Sequence, residues 1–209
     1  MIKLYNGDCL ELMDNVPDKS VDMILCDLPY GTTDCKWDSI IPFDELWTQY
    51  RRVVKDTGAI VLFSAQPFTT KLIHSNLKEF KYCWYWKKNN ATGAIFCKYQ
   101  PMRCIEDVCV FYKKMPTYNP QGLKQLKEVV IRQPKDGSVY SKKKNPSIQT
   151  HVGYPKHFLE FENVPTNKRD HPTQKPVGLL KYLIKTYTNE GETVLDNCMG
   201  SGSTRRRVC

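Results

Sequence analysis

Residues 21–33 read VDMILCDLPYGTT. A run that is apolar at nearly every position, residues 21–26, stops at the carboxylate of Asp27 and is followed at once by Leu28, Pro29 and Tyr30. Such a run, bounded by a turn, reads as a strand buried on both faces, which is the habit of parallel sheets covered by helices. The elements on either side have the alternation that such a sheet needs. Residues 2–4 form a short apolar run, and Asp8-Cys9-Leu10-Glu11 has the spacing of a capping box opening a brief helix. Downstream, Phe43, Leu46, Trp47, Tyr50, Val53 and Val54 recur at helical spacing behind Asp44 and Glu45, with Gly58 at the position of a C-terminal cap. Residues 59–63 read as a buried strand and residues 67–76 as a second helix. The order β-α-β-α implies an α/β fold.

The pattern then changes. Residues 82–86 and 108–112 read as two strands enclosing a long loop, and loops of that length inside a compact domain are usually functional. From Lys113 to about Asp170 the chain is polar, basic and rich in Tyr, Asn, Pro and Lys, with one short predicted helix near residues 123–130. Order returns at HPTQKPVGLLKYLIKTYT, where Pro176 is placed to open a helix and Val177, Leu180, Leu183, Ile184 and Tyr187 form an apolar stripe. A last strand, residues 193–195, runs into Asp196 and the loop NCMGSGST. The predicted organisation is a catalytic α/β region over 1–112, a basic recognition region or flexible insertion over 113–170, and a cofactor-binding segment of the same catalytic domain over 171–209.

The chain has 209 residues, 41% of them hydrophobic, enough for one core with a small appended module. No stretch approaches the roughly 18 to 20 uncharged apolar residues of a membrane span, and the N-terminus lacks the layout of a signal peptide. The nine cysteines show no Cys-x-x-Cys pair or neighbouring His. They read as reduced thiols in cytoplasm, with no metal expected. The formal charge is +9, and basic pairs and triplets stand at Lys87-Lys88, Lys113-Lys114 and Lys142-Lys143-Lys144. Polyanion binding and simple surface solubility both account for them.

Two stretches carry chemistry. Asp27-Leu28-Pro29-Tyr30 offers a carboxylate, a backbone carbonyl on a stiff turn and an aromatic ring. Asp196, Cys198 and the Gly200-Ser201-Gly202-Ser203 loop offer an acid and side-chain-free backbone, as where an α/β sheet meets a nucleotide-like ligand. The loop is not a phosphate-binding P-loop, because no Gly-Lys-Ser/Thr follows, and a dinucleotide fingerprint needs a third small residue where Arg205 stands. Both stretches end predicted parallel strands, so one cleft takes a cofactor and a substrate, as group transfer requires.

The sequence resembles the amino-methylating DNA methyltransferases of the β class. Asp27-Leu28-Pro29-Tyr30 matches their substrate motif Asp/Asn/Ser-Pro-Pro-Tyr/Phe, and the stretch from Asp196 to Ser203 matches Asp-Pro-Phe-x-Gly-Ser-Gly-Thr. His171-Pro172-Thr173-Gln174-Lys175-Pro176 matches the His-Pro-Thr-x-Lys-Pro segment between them. The resemblance implies a Rossmann-like, circularly permuted methyltransferase fold, a mostly parallel sheet with one antiparallel strand. It implies S-adenosylmethionine as cofactor, double-stranded DNA as partner, base flipping, and a setting in restriction-modification. Asp27, Leu28, Pro29 and Tyr30 would handle the target base; Asp8, Lys175, Asp196, Cys198, Gly200, Ser201, Gly202 and Ser203 would lie at the cofactor; the lysine groups above would meet DNA. The family's Asp at the first motif position favours the 6-amino group of adenine over the 4-amino group of cytosine. Leu28 replaces the usual first proline. The sequence ends at Arg205-Arg206-Arg207-Val208-Cys209, where the family continues with a helix and a strand, so the last helix and strand are expected to be missing, and a remnant that binds DNA without methyl transfer is the competing expectation.

Overall fold

A computed structural model describes residues 2–35, 38–133, 145–165, 167 and 174–200. The chain forms two compact units, one of Met1–Asn119 with His157–Cys209 and the other of Pro120–Lys156.

The larger unit holds a six-stranded sheet in the order β7-β3-β4-β2-β1-β8. Its strands are β1 (Val21–Asp27), β2 (Val54–Ser64), β3 (Phe80–Thr92), β4 (Arg103–Phe111), β7 (Phe158–Glu160) and β8 (Val194–Leu195). β1 runs parallel to β2 and β8, and β3 runs parallel to β7. β4 is antiparallel to both of its neighbours. The α/β sheet with one antiparallel strand agrees with the sequence reading.

Period-two alternation divides the core into two layers. Ile24, Cys26, Ile60, Leu62, Cys109 and Phe111 face α2 (Phe43–Val53) and α3 (Phe68–Ser75), where Leu46, Trp47, Tyr50, Phe68 and Leu72 cover them. Met23, Leu25, Val61, Phe63, Trp84 and Val110 face α4 (Val177–Tyr187) through Leu179, Leu180, Leu183 and Tyr187. The two layers leave β1 and the last part of β4 with no solvated face, which explains the unbroken apolar runs. Tyr187 fixes α4 in place: its hydroxyl lies 2.6 Å from Trp84 Nε1 and 2.8 Å from Tyr82 Oη.

Several local expectations are corrected. α2 ends at Val53 and the chain enters β2 directly, so Gly58 is a strand residue and not a helix cap. A side chain there would meet the Asp22 carbonyl at 2.8 Å, so glycine permits the close approach of β1 at a register shift. The predicted loop between the middle strands is mostly strand, since β3 and β4 continue as a long hairpin beyond the core. Residues 2–4 form no strand; Ile2 and Leu4 are exposed, with no neighbouring strand to take their hydrogen bonds. Pro176 precedes α4 as its N-cap instead of opening it.

The smaller unit is a two-stranded antiparallel sheet of β5 (Lys124–Arg132) and β6 (Ser147–Val152), where a helix was expected over 123–130. Lys, Gln, Leu and Glu favour a helix at the start of that stretch, but the pairing partner lies some twenty residues away in sequence and decides the matter.

Candidate active site

β1 ends at Asp27 beside Phe63 of β2, at the carboxyl edge of the parallel strands. The turn that follows is held by one buried carboxylate. Asp38 Oδ1 accepts from the backbone N–H of Tyr30 at 2.8 Å and of Gly31 at 3.0 Å, and its Oδ2 accepts from Thr32 N, Thr33 N and Thr33 Oγ1 at 2.8–2.9 Å. Burial works to raise the Asp38 pKa, but the Thr33 hydroxyl and the three backbone donors at 31–33 outweigh it and hold the group below its ordinary value. Leu28 is buried against the α2/α3 layer, which supplies the anchoring that a proline would otherwise give the turn.

Tyr30 lies over α3. Its ring stacks on Phe68 at 5.1 Å between centroids and 25° between planes, and its hydroxyl donates to Asp27 Oδ1 at 2.8 Å. Burial and the nearby Asp27 charge push its pKa well above normal, so the phenol stays a donor. The other carboxylate oxygen of Asp27 accepts from Lys175 Nζ at 2.8 Å.

Lys175 leads into a buried charge network. Its ammonium also lies 3.1 Å from Glu106 Oε2, and Glu106 Oε1 accepts from Lys88 Nζ at 3.0 Å. The Glu106 Oε2 contact is an ion pair without hydrogen-bond alignment. Lys175 and Lys88 are each 9% exposed, Glu106 is 15% exposed and Asp27 26%. Desolvation opposes the charge on Lys175, but Asp27 and Glu106 overcome it and raise its pKa. Desolvation likewise opposes the charge on Glu106, and Lys175 and Lys88 reverse it, so its pKa is lowered. Lys175 and Glu106 are thereby held in their charged forms beneath the Asp27–Tyr30 turn, each against a further partner, Asp27 and Lys88.

The second group of candidate residues lies where β8 leaves the sheet beside β1. Asp8 caps α1 (Cys9–Met13) by accepting from Leu10 N at 2.8 Å, and the next residue, Cys9, reaches the Cys198 thiol. The Cys198 pKa is raised, first by its contact with Cys26 at the end of β1 and also by burial. Asp196 Oδ1 accepts from Cys198 N at 3.1 Å, and the buried Tyr50 hydroxyl donates to Asn197 Oδ1 at 2.7 Å. Gly200 takes φ +50°, and nothing lies within 4 Å of where its Cβ would be. These contacts bring Cys9, Cys198 and Cys26 together, with Asp8, Asp196 and Gly200 one or two residues along the chain from them. Two carboxylates suited to hydroxyls or an ammonium, beside backbone open to close approach, fit a nucleoside-bearing amino acid.

The structure thus joins Asp27, Leu28, Pro29 and Tyr30 in one turn, with Lys175 on Asp27 itself. Ser201, Gly202, Ser203, His171, Pro172, Thr173 and Lys142, Lys143 and Lys144 lie outside the described residues. Lys87 is exposed and pairs with Glu160 at 3.2 Å, whereas Lys88 is committed to Glu106. Lys113 and Lys114 pair with Asp56 near the start of β2, at the edge of the sheet opposite Asp27. Sequence reasoning did not single out Asp38, Glu106 or Tyr50. Asp38 lies eleven residues past Asp27 with no motif around it, and Glu106 meets Lys175 across 69 residues, so neither carries a local signal.

Residues 21–208 match the DNA methylase family designated N6_N4_Mtase. The chain belongs to the N6/N4 DNA methylase family. Among curated relatives of this DNA methylase, the type II methyltransferase M.HpaI of Haemophilus parainfluenzae is 28% identical over 226 residues, covering 99% of this chain and 66% of that protein. The DNA adenine methyltransferase YhdJ of Escherichia coli is 26% identical over 221 residues, covering 96% of this chain and 72% of that protein. The fold of the methylase is shared with solved structures. M1.HpyAVI in complex with SAM matches at a TM-score of 0.61 and 23% identity, covering 98% of this chain and 86% of that one. The cytosine-N4-specific PvuII DNA methyltransferase matches at 0.66 and 16% identity, covering 96% and 75%. The chain therefore spans about two thirds of the length of M.HpaI. No helix among the described residues is long and apolar enough to cross a membrane.

Proposed function

We propose that this DNA methylase transfers a methyl group from S-adenosylmethionine to the 6-amino group of adenine in double-stranded DNA, in the cytoplasm. One observation carries the reading: a carboxylate and a stacked tyrosine stand at the carboxyl end of β1, and the neighbouring parallel strand β8 runs into Asp196 and Cys198, with Cys198 against Cys26 of β1. The type II relatives support a restriction-modification setting, and the first-position Asp of the motif, with YhdJ among the relatives, favours adenine.

The target amine is a weak nucleophile because its lone pair is delocalised into the ring, and in duplex DNA its base is stacked. The base must leave the stack, at a cost of a few kcal/mol. Tyr30, already stacked on Phe68, offers its other face to the extruded base, and stacking of this kind is worth about 1–3 kcal/mol. The Asp27 carboxylate and the Leu28 carbonyl accept the two amine hydrogens, drawing the nitrogen toward tetrahedral geometry and aiming its lone pair. Both Asp27 oxygens are engaged in the free protein, by Tyr30 and by Lys175. Lys175 frees Oδ2 by shifting its ion pairing onto Glu106, which is already within 3.1 Å. After transfer, the surplus amine proton passes to Asp27 and on to solvent.

Asp8 and Asp196 would hold S-adenosylmethionine through its polar groups, and the backbone at Gly200 would lie against it. When bound, the cofactor supplies an activated sulfonium methyl group. Positioning then dominates the rate, since effective concentration alone supplies about 7–11 kcal/mol in well-oriented cases. The test is incubation with labelled S-adenosylmethionine and unmethylated DNA, followed by nucleoside analysis. Labelled N6-methyladenine is expected. N4-methylcytosine would assign the chain to the cytosine branch, and no labelled nucleoside from folded protein would refute the proposal.

A further inference from the structure

The β3–β4 hairpin continues past the buried network and ends in a turn that the core does not explain. Its base is fixed, since Trp86 pairs with Glu106 and Lys87 with Ile105 across the two strands. Because β4 starts where β2 ends, with Ser64 opposite Asp107, the hairpin rises from the same sheet edge as Asp27. Its far end is a built turn. Gly93 takes φ +89°, a 3-10 turn spans Ala94–Phe96, and Phe96 O accepts from both Tyr99 N at 2.9 Å and Gln100 N at 3.0 Å.

That turn presents apolar groups to solvent. Ile95 is 83% exposed, Tyr99 87% and Phe96 47%, and Met102 is exposed beside them. Isolated exposed apolar residues need no explanation, but four on one ordered turn form a patch. Residues 87–105 contain Lys87, Lys88, Lys98 and Arg103 and not one Asp or Glu; Lys87 and Lys88 at the base pair with Glu160 and Glu106, and Lys98 and Arg103 lie toward the tip. An apolar point flanked by Lys98 and Arg103 complements a partner with stacked apolar rings inside an anionic shell, which is duplex DNA. The position agrees. Glu106 lies under the Asp27 turn, and Arg103 is three strand residues, roughly 10 Å, further out. The tip beyond Arg103 is then at the depth of a duplex whose grooves are about 7.5–8.5 Å deep.

We propose that the β3–β4 hairpin tip is a wedge that enters the DNA stack, with Ile95, Phe96 and Tyr99 parting the bases beside the target and occupying the space it leaves. This rests on the methyltransferase reading above. The wedge acts on extrusion and not on the methyl transfer itself, so its value disappears wherever the target is already unstacked.

The test uses the full chain with the double substitution Ile95→Ser and Tyr99→Ser, both at side chains too exposed to hold the fold. Methyl transfer is measured on duplex DNA and on the same DNA denatured to single strands, and permanganate reactivity of unstacked thymines is measured on protein-bound duplex. The expected result is a loss of about ten-fold or more on duplex with less than about two-fold on single strands, together with loss of the permanganate signal that the wild-type chain produces. Equal losses on both substrates, or no loss on either, would overturn the wedge. So would a wild-type chain that self-associates and becomes monomeric in the variant, which would assign the patch to a second copy. If the wild-type chain methylates neither form of DNA, the methyltransferase reading fails, and the permanganate signal by itself decides the wedge.

Discussion

Replacing Lys175 with Met removes the one group that touches both carboxylates of the buried network. The ammonium lies 2.8 Å from Asp27 and 3.1 Å from Glu106. At an effective dielectric near 20, each contact is worth roughly 5 kcal/mol of attraction. Desolvation of the lysine, several kcal/mol, offsets most of that sum, and breaking a buried pair typically costs about 3–5 kcal/mol. Asp27 is a quarter exposed and regains water, which places the expected loss near the lower end, about 3 kcal/mol at pH 7. The pH dependence separates this account from simple loss of packing. In the wild-type protein the Glu106 pKa is lowered, so its contribution is complete above the ordinary carboxylate pKa and disappears as pH falls through the lowered value. Without Lys175, burial dominates over the remaining Lys88 and the Glu106 pKa rises. The folded variant then binds a proton more readily than wild type as pH falls from 7 to 5, and the stability gap from wild type narrows. Urea denaturation at both pH values reads the gap, and adding Glu106→Gln to the variant should recover at least about 1 kcal/mol. A gap that is the same at pH 5 and pH 7, or smaller than about 1 kcal/mol, would refute the reasoning.

Three further outcomes follow from the same geometry. Asp38→Asn replaces the acceptor of five hydrogen bonds with an amide, so a stability loss of at least about 2 kcal/mol is expected by denaturation. Because the Asp38 pKa is lowered, the wild-type advantage over that variant should be full at neutral pH and fade as pH falls below the ordinary carboxylate range. Tyr30→Phe keeps the ring and removes the donor to Asp27, predicting a roughly ten-fold lower kcat with little change in cofactor affinity; Tyr30→Ala should also weaken DNA binding, read by titration with duplex. Tyr50→Phe breaks the buried contact to Asn197, and calorimetric titration should show weaker S-adenosylmethionine binding by about five- to ten-fold with a stability loss near 1 kcal/mol.

What the sequence made legible was whatever its own periodicity encodes. β1 and β2 are buried on both faces, and the stripes of α2 and α4 are strong, so the α/β sheet followed from residues 21–63 and 177–195. Motif order then pointed to the ends of β1 and β8 as the candidate site. The long β3–β4 hairpin was hidden because Lys87, Lys88, Asn89 and Asn90 read as a loop, although strand pairing carries them past the core. β5 was misread because its stabilising contacts are with β6 and not within itself. The charge network was invisible for a related reason: Glu106 looks like an ordinary surface residue, and Lys175, which the motif sets at the cofactor, gives no sign of Glu106 until the fold brings both to Asp27. Gly58 read as a helix cap, and only the approach of Asp22 from β1 shows what the glycine is for.

The central claim is that the Asp27 carboxylate presents the target amine for methylation. The most direct test compares wild-type protein with Asp27→Ala in single-turnover transfer of labelled methyl from S-adenosylmethionine to unmethylated duplex DNA, with cofactor binding measured on the same samples by equilibrium dialysis. The substitution leaves Lys175 paired with Glu106, so the fold should survive. The account predicts cofactor binding within about two-fold of wild type and transfer slower by at least about 100-fold. Transfer by the variant within about two-fold of wild type would contradict it.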